Sequence, residues 1–302
     1  MIIENPLNEY FIKWDHHHEI FQWDKFGVTS SYCLFFTPRS GSTLLKELLN
    51  QLKTLGNPDE YLSVTRIKNF KLKPFRERFT DYFAHVVKNN SQGGCFGIKI
   101  DPFTMDLISQ YISITYFFGI GHTKSILLTR DDLIGQCFSL ALGQISSVWH
   151  IYPNQVDIHT DKFKGRVSES MIWELMFYLL IQERRLNAFF MRNGISPLRI
   201  TYEELNENRL KCLFEVISYL SPNFDITNKY LQNLNMNPIV KNDSKLHLGA
   251  IDEFNIKYSK LINLIMLNRY QIPITDLYRE LKLDFGMEIK TLENFIKIYS
   301  KI

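Results

Sequence analysis

The chain predicts a three-layer α/β fold, a central and mostly parallel sheet flanked by helices, and three observations lead there. Short apolar runs rich in β-branched or aromatic residues recur along the sequence. Each is followed by a turn or by a stretch with helical spacing, an alternation that produces parallel strands with covering helices. With 302 residues and 45% apolar content, the chain can bury one large core and carry a small appendage.

The first strand is read in Ser31-Tyr32-Cys33-Leu34-Phe35-Phe36-Thr37, stopped by Pro38. Beyond Gly41 the residues Leu44, Leu45, Leu48, Leu49 and Leu52 recur at three- and four-residue spacing and share one helical face. Further strands are expected at Cys95 to Ile100, Lys124 to Thr129 and Leu198 to Thr201. The longest helix should run from about Ser168 to Met191, and another should begin near Glu203 and stop before Pro222, which cannot continue it. After Tyr258 the pattern becomes helix, a break at Pro273, then helix. The expected division is a main domain over 1–258, with 1–30 as an N-terminal extension, and a C-terminal helical appendage over 259–302.

A formal charge of +3 is too small to generate the long-range field of a non-specific nucleic-acid binder, so anion recognition must be local. Cys33, Cys95, Cys137 and Cys212 form no Cys-x-x-Cys pair, which suits a reducing, cytoplasmic setting. The first residues lack the basic start and apolar run of a secretory signal. The apolar stretches at Tyr111 to Ile120 and Ile172 to Ile181 fall short of the about 20 residues a spanning helix needs. Core segments are expected at both.

Thr37-Pro38-Arg39-Ser40-Gly41-Ser42-Thr43 lies where a strand passes into a helix, a junction that gathers unpaired N–H groups and the positive end of the helix dipole. Gly41 allows close backbone approach, Ser42 and Thr43 bring hydroxyls, and Arg39 brings a planar charge that can hold two oxygens. A phosphate fits these features. The heptapeptide alone fits equally a basic turn with an ordinary helix cap. The Gly-x-x-x-x-Gly-Lys-Ser/Thr signature of common nucleoside triphosphatases is missing. A second strand, Ile126 to Thr129, also ends in an arginine, Arg130, and Ser139 follows nine positions later on a helix face from which it can converge on the same phosphate.

Pro38-Arg39-Ser40-Gly41-Ser42-Thr43-Leu44-Leu45 resembles the 5'-phosphosulfate loop of sulfotransferases that use 3'-phosphoadenosine-5'-phosphosulfate (PAPS), in particular the bacterial family typified by trehalose 2-sulfotransferase. Gly56-Asn57-Pro58-Asp59-Glu60-Tyr61 resembles that family's Gly-x-Pro-x-Glu-aromatic segment, and Gly97-Ile98-Lys99-Ile100 its Gly-x-Lys-hydrophobic strand. Trp149 and Tyr202-Glu203-Glu204-Leu205 also resemble family positions, although aromatic residues at such places usually serve packing. The likeness runs from about Ser31 to Tyr258, firmest up to Trp149.

The resemblance implies a P-loop-like fold and a PAPS donor held by Arg39, Ser40, Gly41, Ser42 and Thr43 at one end and by Arg130 and Ser139 at its 3'-phosphate. It implies a carbohydrate or glycolipid hydroxyl as acceptor and Glu60 as general base, with Asp59 as its alternative; Tyr61 would shield the Glu60 carboxylate. Lys99 would assist at the transferred group or pair with a carboxylate. The scheme requires no metal, and a homodimer is plausible. Two other classes stay open: a kinase with a non-standard phosphate loop, and a silent nucleotide- or glycan-binding protein.

Three other stretches read more simply. Asp15-His16-His17-His18-Glu19 holds metal-ligand residue types, but consecutive histidines cannot all face one ion from a regular element. Arg66 to Arg78, basic with Phe70 and Phe75 interleaved, reads as a solvated amphipathic segment placed where acceptor contacts would fall. Lys241 to Lys245 reads as a surface turn.

Overall fold

In a computed structural model of the protein, the described residues are 5–11, 21–70, 78–113, 123–150, 167–221, 234–239 and 245–270, together with Asp276 and Arg279. Two compact units interleave along the chain. The first takes residues 1–131 and 186–238, and the second takes 132–185 and 239–302.

The first unit is built on a parallel sheet of four strands, β1 (Ser30–Phe36), β2 (Cys95–Ile100), β3 (Thr123–Thr129) and β4 (Leu198–Thr201), in the order β2-β1-β3-β4. Every residue of β2, and every residue of β1 after Ser30, is buried, as expected of parallel strands covered on both faces. All four strands lie within a residue of their sequence-derived bounds.

Alternation along the strands sorts the side chains into two faces. Cys33, Phe35, Phe96, Ile98, Ile100 and Leu127 point to one core. Helices α1 (Ser42–Leu52), α2 (Val64–Phe70), α3 (Phe79–Asn90) and α4 (Pro102–Ile108) follow the first two strands. Phe79, Phe83 and Val87 of α3 and Met105 and Ile108 of α4 fill that core. Phe11 joins it from the N-terminal segment, its ring 5.1 Å from Phe79 and 5.5 Å from Tyr111.

Opposite that core lies the face carrying Tyr32, Leu34 and Phe36, with Gly97 and Lys99 on the neighbouring strand in register with Tyr32 and Leu34. Gly97 is required by packing, since a Cβ there would lie 2.4 Å from Tyr32 Cζ.

The second unit holds α5 (Leu133–Ser146), the first two-thirds of α6 (Glu169–Arg192), α9 (Lys245–Lys257) and α10 (Ser259–Leu267). Its core centres on Trp173, which meets Phe254 at 5.4 Å and Tyr258 at 5.2 Å, with Cys137, Met176, Leu261 and Ile265 around them. Leu261 and Ile265, from the segment expected as an appendage, are thus core residues of this unit. A buried ion pair joins Arg269 Nε to Glu183 Oε2 at 2.8 Å and Arg269 Nη2 to Glu183 Oε1 at 2.5 Å, a two-point geometry that satisfies both charges. The end of α6, with Leu186 and Phe190, belongs to the first unit's core. Helices α7 (Tyr202–Glu207) and α8 (Arg209–Leu220) complete the first unit. No helix among the described residues is long and apolar enough to cross a membrane.

The close fit of Tyr32 over Gly97 gives a stability prediction. Gly97→Ala should cost about 1–3 kcal/mol through overpacking, read as a lower denaturant midpoint, and adding Tyr32→Leu should restore part of it. An unchanged midpoint would show that the ring moves aside freely.

Candidate functional site

The connection from β1 leads to β2 and that from β3 leads to β4, so the chain departs in opposite directions from two strands that are neighbours in the sheet. Such a reversal opens a crevice at the carboxyl ends of the two strands, which is where open α/β sheets bind ligands. Arg39 follows β1 and Arg130 follows β3, so both sequence-predicted arginines arise at this reversal.

The loop after β1 is shaped for an anion. Arg39 (φ 66°) and Gly41 (φ 87°) are both left-handed, and such alternation aims successive backbone N–H groups to one side. For a non-glycine residue this conformation costs roughly 1–2 kcal/mol, so Arg39 is held there by its surroundings. Helix α1 begins directly at Ser42 with Gly41 as its cap. Ser40 is fully buried and its Oγ has no hydrogen-bond partner among the described residues. A buried hydroxyl of this kind calls for an acceptor or a donor, and an oxyanion supplies the former.

Burial pushes the Arg39 guanidinium down to about 10, the positive charge of Arg130 acts in the same direction, and Tyr202 opposes both. The two arginines therefore lie within electrostatic reach of each other. The Arg130 guanidinium lies over the Tyr202 ring at 4.7 Å, and its Nε is 3.9 Å from Glu203 Oε1. The same ring touches the phosphate loop, because a Cβ on Gly41 would fall 2.6 Å from Tyr202 Cδ2. Gly41 thus makes room for the Tyr202 side chain.

On the other side of β1, Asp59 runs alongside Ile98 as a single parallel bridge, its carbonyl accepting from Lys99 N–H at 3.0 Å. This bridge delivers Glu60 to the Lys99 side chain. Lys99 is buried, donates from Nζ to Glu60 Oε1 at 3.0 Å, and sits 4.9 Å from the ring centre of Phe36, the last residue of β1. The Glu60 side chain keeps 41% exposure, so solvent or a substrate can reach it. Of the two roles the sequence left open for Lys99, pairing with a carboxylate is the one seen.

Asp59 has a different environment from its neighbour. Its carboxylate pairs with Lys46 of α1 at 3.2 Å and with Arg66 of α2, and accepts the Glu60 N–H at 2.9 Å. Burial acts to raise its pKa, but Lys46, the Glu60 amide and Arg66 together outweigh that and hold it below the usual carboxylate range. Tyr61 does not lie over Glu60. Its hydroxyl donates to the Asn57 carbonyl and its ring stacks on Phe96 of the core at 6.3 Å.

Sequence reasoning misses three residues here. Asp101 follows β2, caps α4 by accepting from Thr104 N–H at 2.6 Å, and is pushed up by burial and, to a smaller extent, by the charge of Glu60. Tyr202 and Glu203 resemble family positions in the sequence but are not assigned to the site there. A signal for them does exist: Thr129 and Thr201 are in register, so the residues after β3 and β4 must be neighbours.

Ser139 is half-buried on α5 of the second unit, and Trp149, past the end of the same helix, lies against Gly143 with 44% exposure. Ser42 is buried and Thr43 half-buried in the first turn of α1. The run from Asp15 to Glu19 is outside the described residues, as are residues 71–77 of the basic stretch and residues 241–244 of the polar turn.

Comparison with known proteins places this geometry. A model of the Stf0 sulphotransferase family matches residues 31–236. The sulfotransferase domain of the Synechococcus PCC 7002 olefin synthase is similar at 14% identity over 82% of this chain and 98% of that one, with a TM-score of 0.34, and the fold described above does not lean on it. No curated protein gives a match. Matched over more than half of its length, the chain belongs to the Stf0 sulphotransferase family and is a sulfotransferase.

Proposed function

We propose that the protein transfers a sulfuryl group from PAPS to a hydroxyl of a carbohydrate or glycolipid acceptor, with Glu60 as general base. The observation that carries this reading is the origin of Arg39 and Arg130 just after the adjacent parallel strands β1 and β3, close enough for the charge of Arg130 to act on Arg39. Family membership supplies the reaction class.

The residues fit such a donor. Arg39, Ser40, Gly41, Ser42 and Thr43 would receive its 5'-phosphosulfate, where the buried Ser40 hydroxyl and the first turn of α1 offer donors. Arg130 would take the 3'-phosphate, and Ser139 is assigned to the same group by resemblance. In the transfer, the acceptor oxygen forms a bond to sulfur as the bond from sulfur to the 5'-phosphate oxygen breaks. The acceptor proton passes to Glu60, and the electron pair stays on the departing phosphate. Arg39 and the loop amides stabilise that charge as it grows. Lys99 holds the Glu60 carboxylate in place beside the root of the phosphate loop. The ion pairs of Asp59 favour Glu60 as the base, since Asp59 is already engaged twice.

Location and assembly belong to the same proposal. Cys33, Cys95, Cys137 and Cys212 are buried, in keeping with a cytoplasmic enzyme, and a homodimer is the assembly the family resemblance favours.

Three measurements test the reading. Only a nucleotide that binds the folded state raises the melting temperature, so 3'-phosphoadenosine-5'-phosphate should stabilise the protein more than ATP at equal concentration. A larger shift with ATP would point to a kinase. Glu60→Gln should lower kcat by about 10²–10⁴-fold while nucleotide affinity is kept, and Asp59→Asn should lower it far less; the reverse order would make Asp59 the base. Arg130→Ala should weaken 3'-phosphoadenosine-5'-phosphate by about 10- to 100-fold and leave adenosine 5'-monophosphate nearly unaffected. Equal losses for the two nucleotides would remove Arg130 from the 3'-phosphate.

A further inference from the structure

We infer that Tyr202 and Glu203 are positioning residues that hold the Arg130 guanidinium in place and thereby set the preference for a 3'-phosphorylated nucleotide. The inference rests on the assignment of Arg130 to the 3'-phosphate made above.

Four contacts carry it. The register of Thr129 with Thr201 makes Arg130 and Tyr202 the residues that follow the ends of two adjacent parallel strands. Tyr202 then offers its ring face to the guanidinium at 4.7 Å, a stacking geometry that attracts the cation and fixes its plane. Glu203 uses both oxygens at the same corner: Oε1 faces Arg130 Nε at 3.9 Å, and Oε2 accepts the Asp131 N–H at 2.9 Å. The carboxylate therefore ties the end of β3 to the start of α7. Finally, the Cδ2 edge of the Tyr202 ring abuts Gly41, so the ring that carries Arg130 on its face also packs on the loop after β1.

The ring is itself held. A capping box closes the first turn of α7, with Thr201 Oγ1 accepting from Glu204 N–H at 3.1 Å and Thr201 N–H donating to Glu204 Oε2 at 2.8 Å. Tyr202, the first residue of that turn, has its backbone direction fixed by the box. A free arginine side chain must give up rotamer freedom to bind a phosphate, and an arginine already stacked and paired gives up less. Discrimination for a ligand with a phosphate at that point rises accordingly.

The test is a double-mutant cycle on the full chain, reading Kd by calorimetry for 3'-phosphoadenosine-5'-phosphate and for adenosine 5'-monophosphate. Tyr202→Leu should weaken the first by about 2- to 30-fold, the range of a cation–π contact, and leave the second unchanged. Tyr202→Phe should behave as the parent, and Glu203→Gln should weaken the first ligand selectively. In an Arg130→Ala background, Tyr202→Leu should have no further effect, because a residue acting through Arg130 has nothing left to position. Equal weakening of both nucleotides, or full additivity with Arg130→Ala, would overturn the inference by showing that Tyr202 touches the nucleotide or only supports the loop. If Tyr202→Leu does not fold, as judged by its melt, Glu203→Gln is decided by the same cycle. A parent protein that binds the two nucleotides alike defeats the donor assignment itself, whereas a parent that prefers the bisphosphate with variants that keep the preference defeats the positioning role alone.

Discussion

Keeping two guanidinium groups close together at adjacent strand ends is the constraint on which the site depends. Arg39 and Arg130 repel each other, and the burial of Arg39 removes the water that would screen the repulsion. The fold offsets part of this locally, with a ring face and a carboxylate for Arg130 from the residues that follow β4. What remains is a concentration of positive potential with a fixed location. A single strand end could not produce it. It needs two neighbouring ends whose onward connections diverge, and the order β2-β1-β3-β4 provides one such place.

The acidic side of the site is organised by partners rather than by residue type. Asp59 and Glu60 are adjacent carboxylates, yet one is clamped by Lys46 and Arg66 while the other meets a single buried lysine and remains accessible. Asp59 also ties the segment to its surroundings, since Lys46 lies on the helix that starts at the phosphate loop and the Asp59 carbonyl binds the Lys99 amide. The loop after β1 and the segment of Asp59 and Glu60 are thereby fastened to each other by charge and by backbone. Neighbours in sequence acquire separate jobs from the elements packed against them.

Much of this architecture is legible in the amino-acid sequence. The first three strands are visible as largely apolar runs stopped by Pro38, Asp101 and Arg130, and the long helix is visible through its period, falling at Glu169–Arg192. The phosphate loop, Arg130 and Glu60 are visible through their spacing and their resemblance to a family. Other features depend on contacts between distant segments and leave little local trace. Nothing in the sequence around Tyr61 says that its ring turns toward Phe96 instead of over Glu60. The interleaving of two units, with residues 132–185 joined by 239–302, is likewise a fact of tertiary packing. The need for a glycine at position 97 is visible only once Tyr32 is seen across from it.

The contact between Lys99 and Glu60 bears on how a catalytic cycle would close. With Glu60 as the base, the acceptor's proton arrives on a carboxylate whose nearest partner is a buried ammonium 3.0 Å away. Once neutralised, the acid no longer balances that ammonium, and the site gains a net positive charge that its interior disfavours. Because the Glu60 side chain is 41% exposed, the proton has a short way out to bulk water. Release of that proton to solvent would then restore the ion pair between Glu60 and the buried Lys99.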